Sequence, residues 1–288
     1  MAAVKLLAES APAKINLFLR VTGRRADNYH ELDSAFIPVA LADRIRVEIR
    51  PAASSSVVMR CADPALAGDA NLAVRAARAF MSEFGLAAQI SIDLEKNIPI
   101  GAGLGGGSSD AGAMLRMLAA LERVDAPERL HKLALALGAD VPFFIRPAPA
   151  RVGGIGERIT PLTGIASIAI VIAAPPFEVS TAEMFRALEP TAWSGAAPPE
   201  HLEAILGGEI TDAVTINDLA EAAIRAHPQI ALLKNLLTDL GARAAQMTGS
   251  GGAVFGVFAS SDEADRAARE ATRRAPDLRV FATISINS

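Results

Sequence analysis

One cysteine, one tyrosine and one tryptophan are all that the 288 residues contain of these three types. A lone Cys61 excludes an internal disulfide and fits a reducing, cytoplasmic setting. Aromatic residues make up only 5% against 51% apolar, so the core must be built mainly from Ala, Leu, Ile and Val. No apolar run reaches the ~18 residues of a membrane span. The apolar segments at the amino end are interrupted by Glu9, Ser10 and Lys14, which is a poor signal-peptide pattern. Excess positive charge is missing too. A net charge of −4 argues against a broad nucleic-acid-binding field. Neither nucleic acid nor a membrane is expected as a partner.

Familiar catalytic signatures are absent as well. His30, His131, His201 and His227 are scattered, with no HExxH or cysteine spacing to hold a metal. No G-x-S-x-G elbow appears; Gly249-Ser250-Gly251 is a partial likeness only.

What the chain does have is "NIPIGAGLGGGSSDAGAMLRML", residues 97–118. Across Gly101–Gly107 only Leu104 carries more than a methyl group. A glycine-rich turn entering a helix exposes backbone amides, which with the helix end attract phosphate. Gly105, Gly106 and Gly107 permit close approach, and Ser108 and Ser109 add hydroxyls. A turn that merely caps a helix would need fewer small residues. The loop is not a Walker motif, because Gly107-Ser108-Ser109 lacks the lysine. Gly101, Gly103 and Gly106 match the dinucleotide fingerprint formally, but "EKNIP" separates them from the preceding strand.

Three other segments stand out. Lys14 sits in the apolar "APAKINLFL", where a charge must reach solvent or meet an anion. Asp140, in "LGADVPFF", lies just past a helix; it is either a turn or capping residue or a base for an incoming hydroxyl. "RRADNYHEL", 24–32, places Tyr29 beside His30, as a surface turn or as a pair that stacks on and reads a planar ring. A second small-residue turn, "QMTGSGGAVFGVF", 246–258, feeds a strand.

Periodicity predicts strands at 14–21, 44–50, 89–94, 167–175, 243–247, 253–259 and 279–284, with weaker ones from Ser55, in "VPFFIR" and in "ARVGGIGERITPL". Helices are expected at 71–84, 109–123, 127–137, 182–189, 198–206, 216–226, 229–240 and 262–274. Residues 189–200 read as an exposed loop. The mixture, without steady β-α-β repetition, predicts an α+β protein of two domains. The boundary falls between 150 and 167, giving residues 1–160 with a phosphate loop at 99–110, and 161–288.

"PIGAGLGGGSSDAG" resembles the phosphate loop of the galactokinase, homoserine kinase, mevalonate kinase and phosphomevalonate kinase (GHMP) superfamily. "APAKINLFLRVTGRRADNYHEL", "LGADVPFF" and "MTGSGGAVFGVF" resemble, in this order, the branch acting on a cytidine diphosphate-linked methylerythritol in the non-mevalonate isoprenoid route. The resemblance covers nearly the whole chain. It implies a first domain like the second domain of a ribosomal small-subunit protein, a ferredoxin-like second domain, and an active cleft between them. It implies ATP and Mg²⁺ as cofactors, a small-molecule polyol acceptor phosphorylated on its 2-hydroxyl, and a monomer or homodimer. By the resemblance, Asp140 takes or orients the hydroxyl proton and Lys14 keeps Asp140 ionised. Pro99, Gly101, Gly103, Leu104, Gly105, Gly106, Gly107, Ser108 and Ser109 hold the phosphates, with Asn71 and Lys96 beside the nucleotide. Tyr29, His30 and Phe185 hold cytosine, although periodicity alone makes Phe185 a helix-face core residue. Asn16, Thr181, Thr248, Gly249, Ser250 and Gly251 line the acceptor site. Metal ligands are not assigned. Two departures are Asn28 in place of the usual glycine, which tolerates a left-handed turn, and Gly112 in place of alanine. The second costs the helix ~1 kcal/mol, away from the chemistry.

Overall fold

Two long strands organise the chain. β1 (Lys5–Arg24) and β2 (His30–Pro51) pair with each other. The computed structural model describes residues 4–287. It divides into two compact units, and both long strands run through both of them. The first unit takes the chain up to Ala13 with Ala42–Ile98 and Gly105–Pro147; the second takes Lys14–Leu41, Pro99–Leu104 and the chain from Ala148. The first unit lies wholly before the expected boundary near 160, and the second draws residues from both sides of it.

In the first unit, β3 (Ser56–Cys61) runs parallel to β4 (Ala88–Glu95), which pairs antiparallel with the Arg44–Pro51 end of β2. β4 alternates strictly, with Ile90, Ile92 and Leu94 inward. α1 (Leu72–Phe84) starts where Asn71 Oδ1 accepts from Ala73 N and stops at Gly85, whose φ of 72° suits glycine. α2 (Gly106–Glu122) and α3 (Pro127–Leu137) complete the layer over the sheet. Pro127 opens α3 and Gly138 closes it, as the sequence predicts. Phe80, Ile45, Ile90, Ile92, Met114 and Leu115 form the core.

In the second unit, the Leu32–Phe36 part of β2 pairs with β5 (Ala150–Gly154), and β5 with β6 (Arg158–Pro161). A second sheet contains β7 (Ala169–Ala174), β8 (Ala244–Met247), β9 (Val254–Phe258) and β10 (Arg279–Ile284), ordered β10-β7-β9-β8 and wholly antiparallel. Around it lie α4 (Thr181–Ala187), α5 (Pro199–Leu206), α6 (Ala220–Ala226), α7 (Gln229–Asp239) and α8 (Ser261–Arg274).

Three sequence expectations are corrected. "VPFFIR" is not a strand. Phe143–Ile145 form a 3₁₀ turn, with Phe144 N and Ile145 N donating back to Val141 O and Pro142 O. α2 starts at Gly106 rather than near Ser109, so the glycines themselves make its first turn. The helix expected from 216 starts at 220. Asn217 Oδ1 accepts from Leu219 N, and Asn217 bridges to Leu19 of β1. Residues 189–200 are mostly exposed, as expected, but are tethered: Ser194 bonds Asp218 through N and Oγ, and Ala197 N donates to Asp33 Oδ2 at 2.7 Å.

Candidate active site

The two glycine turns meet each other inside the second unit. Gly103 has φ 82°, and a Cβ there would lie 2.2 Å from Thr248 O. A Cβ on Gly251 would lie 2.1 Å from Ala102 C and Gly103 N. Both backbones are therefore bare for each other's sake. Ala253 N donates to Ala102 O, and Lys14 N donates to Leu104 O at 3.0 Å. Leu104 is itself buried, the anchor of the loop. Glu178 packs against Gly101, whose φ is 65°. Pro99 opens this half of the loop.

Lys14 is buried in β1, with its Nζ 2.6 Å from Asn16 Oδ1 and 4.6 Å from the centre of the Phe36 ring. Strand residues two apart share a face, which brings Lys14 and Asn16 together. Asn16 is held in turn. Its N–H donates to Thr248 Oγ1 at 2.9 Å and its Nδ2 to Ser34 Oγ at 2.9 Å, while Ser34 Oγ donates to Phe18 O. Gly249, with φ 60°, leaves room for this cluster: a Cβ there would lie 3.2 Å from Lys14 Nζ. Thr181 Oγ1 and Ser250 Oγ share a hydrogen bond at 2.6 Å.

A separate aromatic group lies at the start of β2. Tyr29 is 60% exposed, on a turn made by Arg25 N to Tyr29 O and by Asn28 at φ 70°. The left-handed asparagine expected from the sequence is there. His30 stacks on Phe185 at 5.2 Å and meets Trp193 edge-on at 5.9 Å. Phe185 also packs against the core of its unit, so its helix-face reading holds alongside the stack. Burial, and then the charge of Arg24, hold the His30 imidazole below its ordinary pKa.

The first unit holds the other half of the loop. α2 begins after Gly105, at φ 71°, and no side chain caps it. The leading amides of the helix, at Gly106, Gly107 and Ser108, have no carbonyl four residues back inside it. That is the donor set an anion requires. Ser109 is fully buried, and neither its Oγ nor Asp110 Oδ1 has a hydrogen-bond partner. Asn71 is spent on its cap, with Nδ2 donating to Leu66 O. Lys96 Nζ binds Asp43 and, at 2.8 Å, Asp110 Oδ2. Burial works against its charge, but Asp110 and Asp43 outweigh this and raise its pKa. Burial pushes the Asp110 carboxyl up to about 7, against the pull of Lys96 and with a further push from Asp43. Asp140 lies half-buried in the turn between α3 and the 3₁₀ turn. Lys14 belongs to the second unit and Asp140 to the first.

Sequence reasoning missed Asp43, Ser34 and Asn217. Asn217 Nδ2 donates to Met247 O and Gly249 O, both at 2.9 Å, and so secures the second turn. Asp43 and Ser34 act on chain far away in sequence, and the local bond of Asn217 to Leu219 N does not reveal its distant ones. Among the described residues, no group of three His, Cys, Asp or Glu could hold a metal, and no helix is long and apolar enough to cross a membrane.

Comparison with known proteins fits this geometry. Residues 71–147 match the GHMP kinases N terminal domain and residues 202–277 the GHMP kinases C terminal domain. A 4-diphosphocytidyl-2-C-methyl-D-erythritol kinase of Anaeromyxobacter dehalogenans is 41% identical over 253 residues, 86% of this chain and 79% of that protein. The one from Agrobacterium fabrum is 39% identical over 286 residues, 96% of each chain. A crystal structure of 4-(cytidine 5'-diphospho)-2C-methyl-D-erythritol kinase superposes with a TM-score of 0.84 at 37% identity, over 98% of this chain and all of that one.

Proposed function

Because the chain belongs to the GHMP kinases, and within them to the 4-diphosphocytidyl-2-C-methyl-D-erythritol kinase family, we propose that it transfers the γ-phosphoryl group of ATP to the 2-hydroxyl of 4-diphosphocytidyl-2-C-methyl-D-erythritol. The products are the 2-phosphate and ADP. The P–O bond to the β-phosphate breaks as the bond to the 2-oxygen forms, and the hydroxyl proton passes to Asp140. Transfer is direct and in line, since positioning and charge stabilisation suffice for such a step.

The triphosphate lies on the uncapped start of α2, whose amides fit it. A magnesium ion would supply positive charge beside the phosphates, within reach of a loop serine, Ser108 or Ser109, with no protein ligand assigned. Lys14, held by Asn16, supplies positive charge to the reacting oxygens. A buried ammonium in fixed geometry does this without reorganising. Lys14 and Asp140 act as a pair on the acceptor hydroxyl.

The observation that carries the choice of acceptor is the aromatic group of Tyr29, His30 and Phe185. A base gives these rings a flat partner, and the largely neutral His30 can accept or donate at its edge. Homoserine and mevalonate-like alcohols offer no ring. The test is ADP release with magnesium-ATP and each acceptor in turn. Release with the cytidylated acceptor alone supports the reading. Release with homoserine or mevalonate instead reassigns the acceptor, and release with none turns the chain into a nucleotide-binding protein without transfer.

A further inference from the structure

We propose that Asp43 is a positioning residue for the nucleotide phosphates, bracing both feet of the glycine loop from below. The proposal rests on the reading that the triphosphate lies on the start of α2. Asp43 stands in β2 just before Arg44, which pairs with Glu95 of β4. That register sets its carboxylate beside the residues that follow β4. Asp43 is completely buried. Its Oδ1 accepts from Asn97 N at 2.6 Å and from Ile98 N at 2.9 Å, at the entry to the loop. Its Oδ2 accepts from Lys96 Nζ, which reaches on to Asp110 Oδ2 in the first turns of α2. The same ammonium lies against the exit of the loop, 3.2 Å from where a Cβ on Gly106 would stand.

One carboxylate thus ties the chain on either side of 99–105. Within that stretch Gly101, Gly103 and Gly105 all have positive φ. Glycine chain is entropically soft, so the loop's amides keep a fixed direction only if its ends are fixed. A buried carboxylate is costly unless satisfied, and here each of its oxygens is used. Asparagine of the same size keeps the two amide bonds only by turning its N–H₂, a donor, toward the ammonium. Alanine would lose everything.

A purely structural carboxylate would change folding stability and leave the affinity of folded protein for each ligand alone. A positioning residue changes affinity only for ligands with phosphates. The experiment is calorimetric titration of wild type and Asp43→Asn with magnesium-ATP, magnesium-ADP and adenosine. The expected result is at least ~10-fold weaker binding of both nucleotides, about 1.4 kcal/mol, with adenosine affinity unchanged. In assays the KM for ATP rises and the KM for the acceptor does not. Equal weakening for all three ligands, or for none, overturns the proposal. If wild type itself binds magnesium-ATP no better than adenosine, the underlying reading of the loop has failed, which is a different outcome. Hydrogen exchange in wild type needs no variant. The Asn97 and Ile98 amides should gain protection from magnesium-ADP beyond that from adenosine. Equal protection by the two ligands contradicts the brace even if Asp43→Asn does not fold.

Discussion

Asn16 Oδ1 accepts a hydrogen bond from the ammonium of Lys14 at 2.6 Å, with both residues buried on one face of β1. The amide fixes where the charge points; Thr248 Oγ1 donates to its Oδ1 and its Nδ2 donates to Ser34 Oγ. Replacing Asn16 by alanine removes that guide while leaving the glycine loop in place. Turnover should fall by ~10–100-fold, the loss of ~1.4–2.7 kcal/mol of transition-state stabilisation. The KM for ATP should stay within about twofold. Steady-state kinetics with both substrates varied will show whether the loss sits in kcat.

The exposed ring of Tyr29 has no role in the core, so its removal should be nearly silent in folding. Base stacking on an aromatic side chain is worth ~1–3 kcal/mol. Tyr29→Ala should therefore raise the KM for the cytidylated acceptor by ~5–100-fold, with ATP unaffected. A rise confined to the KM for ATP would assign this turn to the wrong substrate.

Asp110 gives a pH test. Its folded carboxyl titrates at about 7 because burial disfavours the charge; unfolded aspartate titrates near ~3.9. Between these values the folded state binds more protons than the unfolded state. Stability from this group is thus present at low pH, is lost as pH rises toward 7, and is level above it. Asp110→Asn should erase that slope. Melting temperatures of both proteins from pH 5 to 8 should diverge, with the variant gaining on wild type up to about pH 7. Parallel curves would mean that Asp110 is ionised throughout.

Gly112 tests a point where sequence reasoning went astray. Helix propensity alone favours alanine by ~1 kcal/mol, and from sequence the glycine looks like a tolerated flaw. In the fold a Cβ there would meet Phe144 Cβ at 2.5 Å and Phe144 O at 2.7 Å. Overpacking typically costs ~1–3 kcal/mol. Gly112→Ala should lower thermal stability and, by displacing the 3₁₀ turn, disturb the neighbouring Asp140 segment. A rise in melting temperature would contradict the packing argument.

This contrast marks what was legible in the sequence. α1, α3 and β4 could be read because each signal is local: the Asn71 cap, Pro127 and Gly138, and a strict alternation over 89–94. The glycine loop and Lys14 could be flagged because their chemistry clashes with their surroundings. The 3₁₀ turn at Phe143–Ile145 was hidden because buried apolar residues read alike in a strand and in a tight turn. The 33–43 part of β2 was hidden by Pro38, which has no donor but whose carbonyl accepts from Ile286 N. The close approach of the glycines at 103 and 251 was hidden because nothing in the sequence shows that two turns so far apart meet.

The central claim is that Asp140 takes the proton of an alcohol onto which ATP delivers its γ-phosphoryl group. A rapid-quench single turnover with γ-labelled ATP and the cytidylated acceptor measures this step alone. Wild type should move the label to the acceptor's 2-oxygen, while Asp140→Asn should bind ATP normally yet transfer at least ~10²-fold more slowly. Equal transfer rates in the two proteins would contradict the account.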